Sequence, residues 1–142
     1  MTTRTSGALL DWAGVVLLTA CAALLAALEV FLVSLYVGSV IAPVSVLLAI
    51  VGNLVLPRLA FGLTATLTAA AAPFVTWLAV LFTFGLVPRP EGDVIVPGVG
   101  GAQYVYLGAL VGGIIAGTAT LVICATPSVA AAARAREERI SR

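Results

Sequence analysis

Four long apolar runs dominate the chain, at about residues 12–37, 40–56, 62–87 and 104–126, separated by short polar or turn-forming stretches. A helix needs about 20 apolar residues to cross the hydrocarbon of a bilayer, so each run is predicted as a membrane-spanning helix. Gly38-Ser39 and Pro57-Arg58 are predicted as the two tight connections, because Gly and Pro are the strongest local breakers. Pro43 falls in the first turn of the second span, where a missing N–H costs little. Pro73 lies inside the third span and is expected to kink it unless neighbours satisfy the carbonyl it frees. After the fourth run, Thr126-Pro127 reads as an N-cap and first helical position. Arg134, Glu138 and Arg142 at four-residue spacing support a short, separate cytoplasmic helix there. Its simplest role is a solvated stop-transfer anchor. The expected fold class is all-α: one domain over residues 1–142, an integral membrane four-helix bundle with that short helix appended.

Composition sharpens this reading. Hydrophobic residues make up 62% of the chain and charged residues 9%, with a mean hydropathy of +1.21. A soluble domain carries about a quarter of its residues as charged groups, so this chain cannot cover a water-facing surface and a soluble enzyme is excluded. The net charge of +1 leaves no electrostatic footprint for nucleic acid. There is no His, and the two Cys, Cys21 and Cys124, each lie in an apolar run, so no zinc, haem or iron–sulfur site is expected and no cofactor is implied. Neither His nor Lys is present to activate a hydroxyl, so no catalytic residues are assigned and the expectation is a protein that is not an enzyme.

The Arg residues orient the spans. With the N-terminus inside, Arg4, Arg58, Arg134, Arg136, Arg139 and Arg142 fall on the cytoplasmic side and Arg89 alone falls outside. That bias predicts a multi-pass plasma-membrane protein with both termini cytoplasmic and residues 88–103 outside. Leu18-Thr19-Ala20-Cys21 has the spacing of a bacterial lipoprotein signal. The residues after Cys21 stay apolar to Val37, however, so the first span is expected to remain uncleaved.

Against this apolar background few residues can carry chemistry. Glu29 lies well inside the first span, where a charge costs about 2.5–3.5 kcal/mol on insertion scales, so it must face protein or water. Ala22 and Ala26 share its helical stripe and give the small surface a helix presents to a close neighbour, so Glu29 is expected to point into the bundle. It reads either as a proton-linked or cation-binding carboxylate or as a carboxyl hydrogen-bonded to a neighbouring hydroxyl or carbonyl. Asn53, near the inner end of the second span, is expected to hydrogen-bond across helices. Arg58 is expected to snorkel to the headgroups. Gly108, Gly112, Gly113 and Gly117 form two Gly-x-x-x-Gly pairs in the fourth span. They read first as packing against the first or third span, and second as a contact with another subunit. The outer loop carries Arg89, Glu91 and Asp93 between Pro88, Pro90 and Pro97, and is the best candidate for a recognition surface. Tyr104 and Tyr106 are expected to follow it as belt residues at the outer interface.

At this loop, Pro88-Arg89-Pro90-Glu91-Gly92-Asp93, with Tyr104-Val105-Tyr106-Leu107 downstream, resembles a family of small actinobacterial four-span membrane proteins with no assigned activity. The resemblance implies the topology and the importance of the loop. Ala26-Ala27-Leu28-Glu29-Val30 is also similar to the first-span segment of small multidrug resistance transporters, which have four spans and a membrane-embedded Glu in the first. Those chains are shorter, with a largely uncharged outer loop and aromatic residues in the third span, where this chain has Trp77 but little else of their pattern. The functional expectation is an accessory or scaffolding component of a cell-envelope or membrane-embedded complex. Its partners would be the lipid bilayer and other membrane subunits or a second copy of the chain. The alternative is a small proton-coupled exporter using Glu29.

Overall fold

The computed structural model describes the backbone of residues 3–86 and 100–140, with side chains described for residues 7–85 and 100–126. Arg89, Glu91 and Asp93 lie outside the described residues. The order of elements is α1 (Thr3–Leu32), a two-stranded hairpin of β1 (Tyr36–Val37) and β2 (Val40–Ile41), α2 (Val44–Thr64), α3 (Leu67–Leu86) and α4 (Gly101–Ile140). Each helix contains a stretch long and apolar enough to cross a membrane: Gly7–Leu32, Val44–Thr64, Leu67–Gly85 and Gly101–Thr126. Among the described residues the fold is all-α apart from the hairpin.

Most boundaries shift by a few residues from the expectation, and three differences have a clear physical reason. The first helix stops at Leu32, not Val37, and the chain turns back through an antiparallel ladder pairing Tyr36 with Ile41 and Val37 with Val40. Gly38, at φ +66°, supplies the left-handed turn residue this two-residue loop requires. Leu35 closes the hairpin, its carbonyl accepting the Ala42 N–H at 2.9 Å. The second correction concerns Pro57-Arg58, which is not a connection. Pro57 sits buried inside α2, and the helix runs on to Thr64. Proline forfeits one backbone hydrogen bond there, whereas a break inside the hydrocarbon would leave several N–H and C=O groups unpaired, each costing several kcal/mol. The helix ends instead at Ala65, which adopts φ 53° and donates its N–H to the Phe61 carbonyl at 2.7 Å. The hydroxyls of Thr64, Thr66 and Thr68 bond to one another across this turn. Third, the described residues hold no separate C-terminal helix. Thr126 does not cap: its hydroxyl donates backwards to the Val122 carbonyl at 2.9 Å, and α4 continues unbroken through 40 residues.

Packing follows from side-chain size. Large apolar residues face outwards, among them Leu17 (65% exposed) and Leu24 (67%). The buried stripes of three helices are rich in small or polar residues: Ala22, Ala26 and Glu29 on α1; Ser45, Ala49, Asn53, Pro57 and Ala60 on α2; Ala109, Gly113, Ala116 and Thr120 on α4. The larger buried side chains include Val30 and Val33 after α1's stripe, Trp77 and Leu81 on α3 and Tyr106 on α4. This inverts the soluble pattern and is what a bilayer selects. Lipid tails solvate large apolar side chains, and helices associate through close backbone approach. The helices α1 with α3, and α2 with α4, run parallel and adjacent. α2 also packs on α1 and α3, while α1 and α4 occupy opposite corners with little direct contact.

Candidate functional site

The corner where α1, α2 and α3 meet holds the one fully enclosed acid among the described residues. Glu29, one turn before the end of α1, is 0% exposed. The stripe of Ala22 and Ala26 brings α1 close to its neighbours, so the first side chain long enough to reach across is this carboxylate. Trp77 answers it from α3, its indole Nε1–H donating to Glu29 Oε2 at 2.9 Å. Ser45, in the first turn of α2, donates its hydroxyl to the Glu29 backbone carbonyl at 2.9 Å. Glu29 Oε1 has no hydrogen-bond partner. Glu29 therefore points into the bundle as its stripe requires, but its side-chain partner is an indole N–H, not a hydroxyl or carbonyl.

The indole is held from behind by α4. A Cβ at Gly113 would overlap Trp77 Cη2 and Cζ2, and would also come within 3.2 Å of Asn53 Nδ2. The Phe74 ring stacks beside Trp77, with centroids 6.2 Å apart and planes 14° apart, and is seated in turn on Gly117. The other Gly pair faces a different helix: Gly108 meets Val46 and Gly112 meets Ile50, both on α2. The two Gly-x-x-x-Gly pairs thus pack within the chain, against α2 and α3. The expected partners were the first or third span, and α1 is excluded because it stands at the opposite corner.

Two further expectations change. Asn53 does not bond across helices: its Nδ2 donates to the Ala49 carbonyl of its own helix at 2.9 Å. It also lies mid-helix, because α2 is longer than expected. Tyr104 is 74% exposed, as an interfacial residue should be, but Tyr106 is 2% exposed. The Tyr106 hydroxyl donates to the Leu81 carbonyl at 3.0 Å, and its ring occupies the space that a side chain at Gly85 would fill. Residues two apart lie about 200° round a helix, so the two tyrosines cannot share one belt.

Two participants had no clear signal as functional residues. Apart from the third-span comparison, Trp77 is legible as the large residue on the buried stripe Ala69, Ala70, Pro73, Trp77 and Leu81. Thr120, two turns beyond Gly113 on the same buried stripe, has a hydroxyl with no partner, whereas Thr19, Thr83 and Thr126 each bond to the carbonyl four residues earlier. On the outer surface between α1 and α2 lies an apolar cleft of about 300 Å³, lined by Cys21, Leu25, Val51 and Val55 among others. Leu25 rests on Gly52 beside it. Cys21 and Cys124 are free.

Four apolar helices, an inverted core and an acid enclosed between them define a multi-pass α-helical membrane protein. No protein-family model, curated protein or solved structure matches the chain.

Proposed function

We propose that the protein is a non-enzymatic accessory or scaffolding component of a membrane-embedded or cell-envelope assembly. In this reading it sits in the plasma membrane with both termini cytoplasmic. The observation that carries the reading is the continuity of α4. At 1.5 Å per residue, a 26-residue span already measures about 39 Å, more than the hydrocarbon thickness of about 30 Å. The remaining residues to Ile140 extend the same helix by about 21 Å. A charged arm joined to the bundle without a hinge suits a protein that positions something beside the membrane. The outer loop with Arg89, Glu91 and Asp93 is a second contact surface, on the other side. The excess of Arg residues supports this placement, including Arg58, exposed near the α2 end that would face the cytoplasm.

The test is crosslinking in cells followed by native purification and mass spectrometry. It compares the full chain, a chain ending at Thr126, and the triple variant Arg89→Ala, Glu91→Ala, Asp93→Ala. Loss of a specific co-purifying subunit in either altered form, with the bundle still inserted, is the expected result. Identical profiles from all three would overturn the scaffold reading.

A second reading is favoured by one specific observation, the meeting of the α1 carboxylate with an aromatic residue of α3. It is a small proton-coupled exporter acting through Glu29. Glu29→Gln keeps the shape and hydrogen bonding of the acid but cannot release a proton. Under this reading the substitution abolishes efflux while leaving protein levels unchanged. Retained efflux would remove the exporter reading.

A further inference from the structure

The enclosed carboxylate and the charged arm belong to helices that scarcely touch, yet one side chain bridges them. α1 and α4 stand at opposite corners. Trp77 projects from α3 with its ring edge against Gly113 of α4 and its N–H on Glu29 of α1. We propose that Trp77 is a lever that couples the position of α4 to the carboxylate of Glu29. Gly113 is the positioning residue that sets the lever's reach.

Three features make the coupling tight. The indole is rigid, so a displacement at its Cη2 edge is carried to Nε1 across the ring. Its freedom is cut further by Phe74, stacked on one side and itself seated on Gly117 of the same helix. Glu29, in turn, offers no second bond to compensate if the indole swings away, because Oε1 is buried without a partner. A shift or rotation of α4 therefore alters the hydrogen bonding of a group on the far side of the bundle. Since α4 runs unbroken to residue 140, a load on its arm reaches Gly113 through one continuous helix. The coupling is reciprocal by linkage: whatever binds or frees Glu29 must also bias α4.

The experiment uses the full chain in lipid nanodiscs, labelled with ¹⁵N and carrying Trp12→Phe so that Trp77 gives the one indole N–H resonance. Glu29→Ala shifts that resonance and accelerates its exchange with deuterated solvent. Gly113→Ala touches neither hydrogen-bonded atom and is expected to move the resonance in the same direction. Gly108→Ala, one seat away on the α2-facing side, leaves it in place. The reverse arm records the Gly113 backbone amide in Glu29→Ala. Release of the ring changes its ring-current field, so this amide shifts. A folded Gly113→Ala protein with an unmoved indole signal would overturn the proposal. So would a Gly113 amide indifferent to Glu29→Ala, which decides the matter even if Gly113→Ala fails to fold.

Discussion

Removing the indole N–H while keeping an aromatic ring isolates the bond between α1 and α3. Trp77→Phe deletes the only donor to the Glu29 carboxylate among the described residues and leaves both oxygens buried without partners. Two effects add. The smaller ring vacates part of the space between Gly113 and Phe74, and a lost core aromatic costs up to about 3–5 kcal/mol when removed entirely, so the partial loss is expected at roughly a third of that. Stranding a buried acceptor costs about 1–3 kcal/mol. The single substitution is thus expected to destabilise by about 2–4 kcal/mol. A double-mutant cycle with Glu29→Ala separates the two effects, because the ring-size cost cancels and the pair remains. Interhelical hydrogen bonds in membrane proteins average about 0.6 kcal/mol and reach about 1.7, and the carboxylate places this one towards the upper figure. The assay is reversible unfolding in mixed micelles titrated with sodium dodecyl sulfate, followed by circular dichroism, for the parent, both singles and the double. Distant, independent sites add within about 0.3–0.5 kcal/mol. A coupling energy inside that band would refute the claim that the bond joins α1 to α3.

Other expectations test the packing, the turn and the topology. Gly117→Val drives a branched side chain into the Phe74 ring and is expected to cost about 1–3 kcal/mol by overpacking. Gly62→Ala meets nothing within 4 Å and should stabilise α2 by about 0.5–1 kcal/mol; both are read by the same titration, and equal effects would refute the packing assignment. Ala65→Gly removes the Cβ clash of a left-handed conformation, about 1–2 kcal/mol for a non-Gly residue, and is expected to be neutral or stabilising, checked by thermal unfolding. In a chain with Cys21 and Cys124 replaced, Ser39→Cys should label from outside intact cells and Thr66→Cys should not. The reverse would invert the orientation drawn from the Arg residues.

The spans were legible because apolar length is a strong signal and no soluble fold competes for it. Their ends were harder to read, since the usual breakers behave differently in lipid. Pro57 reads as a stop in water, but inside hydrocarbon the helix keeps it, because one lost bond is cheaper than a broken turn. The residue that does end α2 is Ala65, whose left-handed conformation no composition rule announces; only the nearby Thr64, Thr66 and Thr68 hint at it. Thr126-Pro127 has the right residues for a helix start, yet an incoming helix makes the Val122 carbonyl a nearer partner for the hydroxyl. Of the site, the inward aim of Glu29 followed from Ala22 and Ala26. Its partner did not, because any of several helices could have faced that stripe and the pairing is a tertiary fact. The outward face of Tyr104 followed from its position, whereas the burial of Tyr106 required the helical phase.

The two glycine faces of α4 also bear on the order in which the molecule is made. Gly108 and Gly112 receive Val46 and Ile50 from α2, and Gly113 and Gly117 receive Trp77 and Phe74 from α3. Those four side chains belong to helices that leave the ribosome first, so until α4 arrives they project into lipid with nothing to seat them. The fourth helix settles onto two already inserted neighbours that are themselves in contact, displacing acyl chains from a notch whose shape it completes. Trp77 can meet Glu29 as soon as α3 is in place, but the ring is held from behind only at that last step.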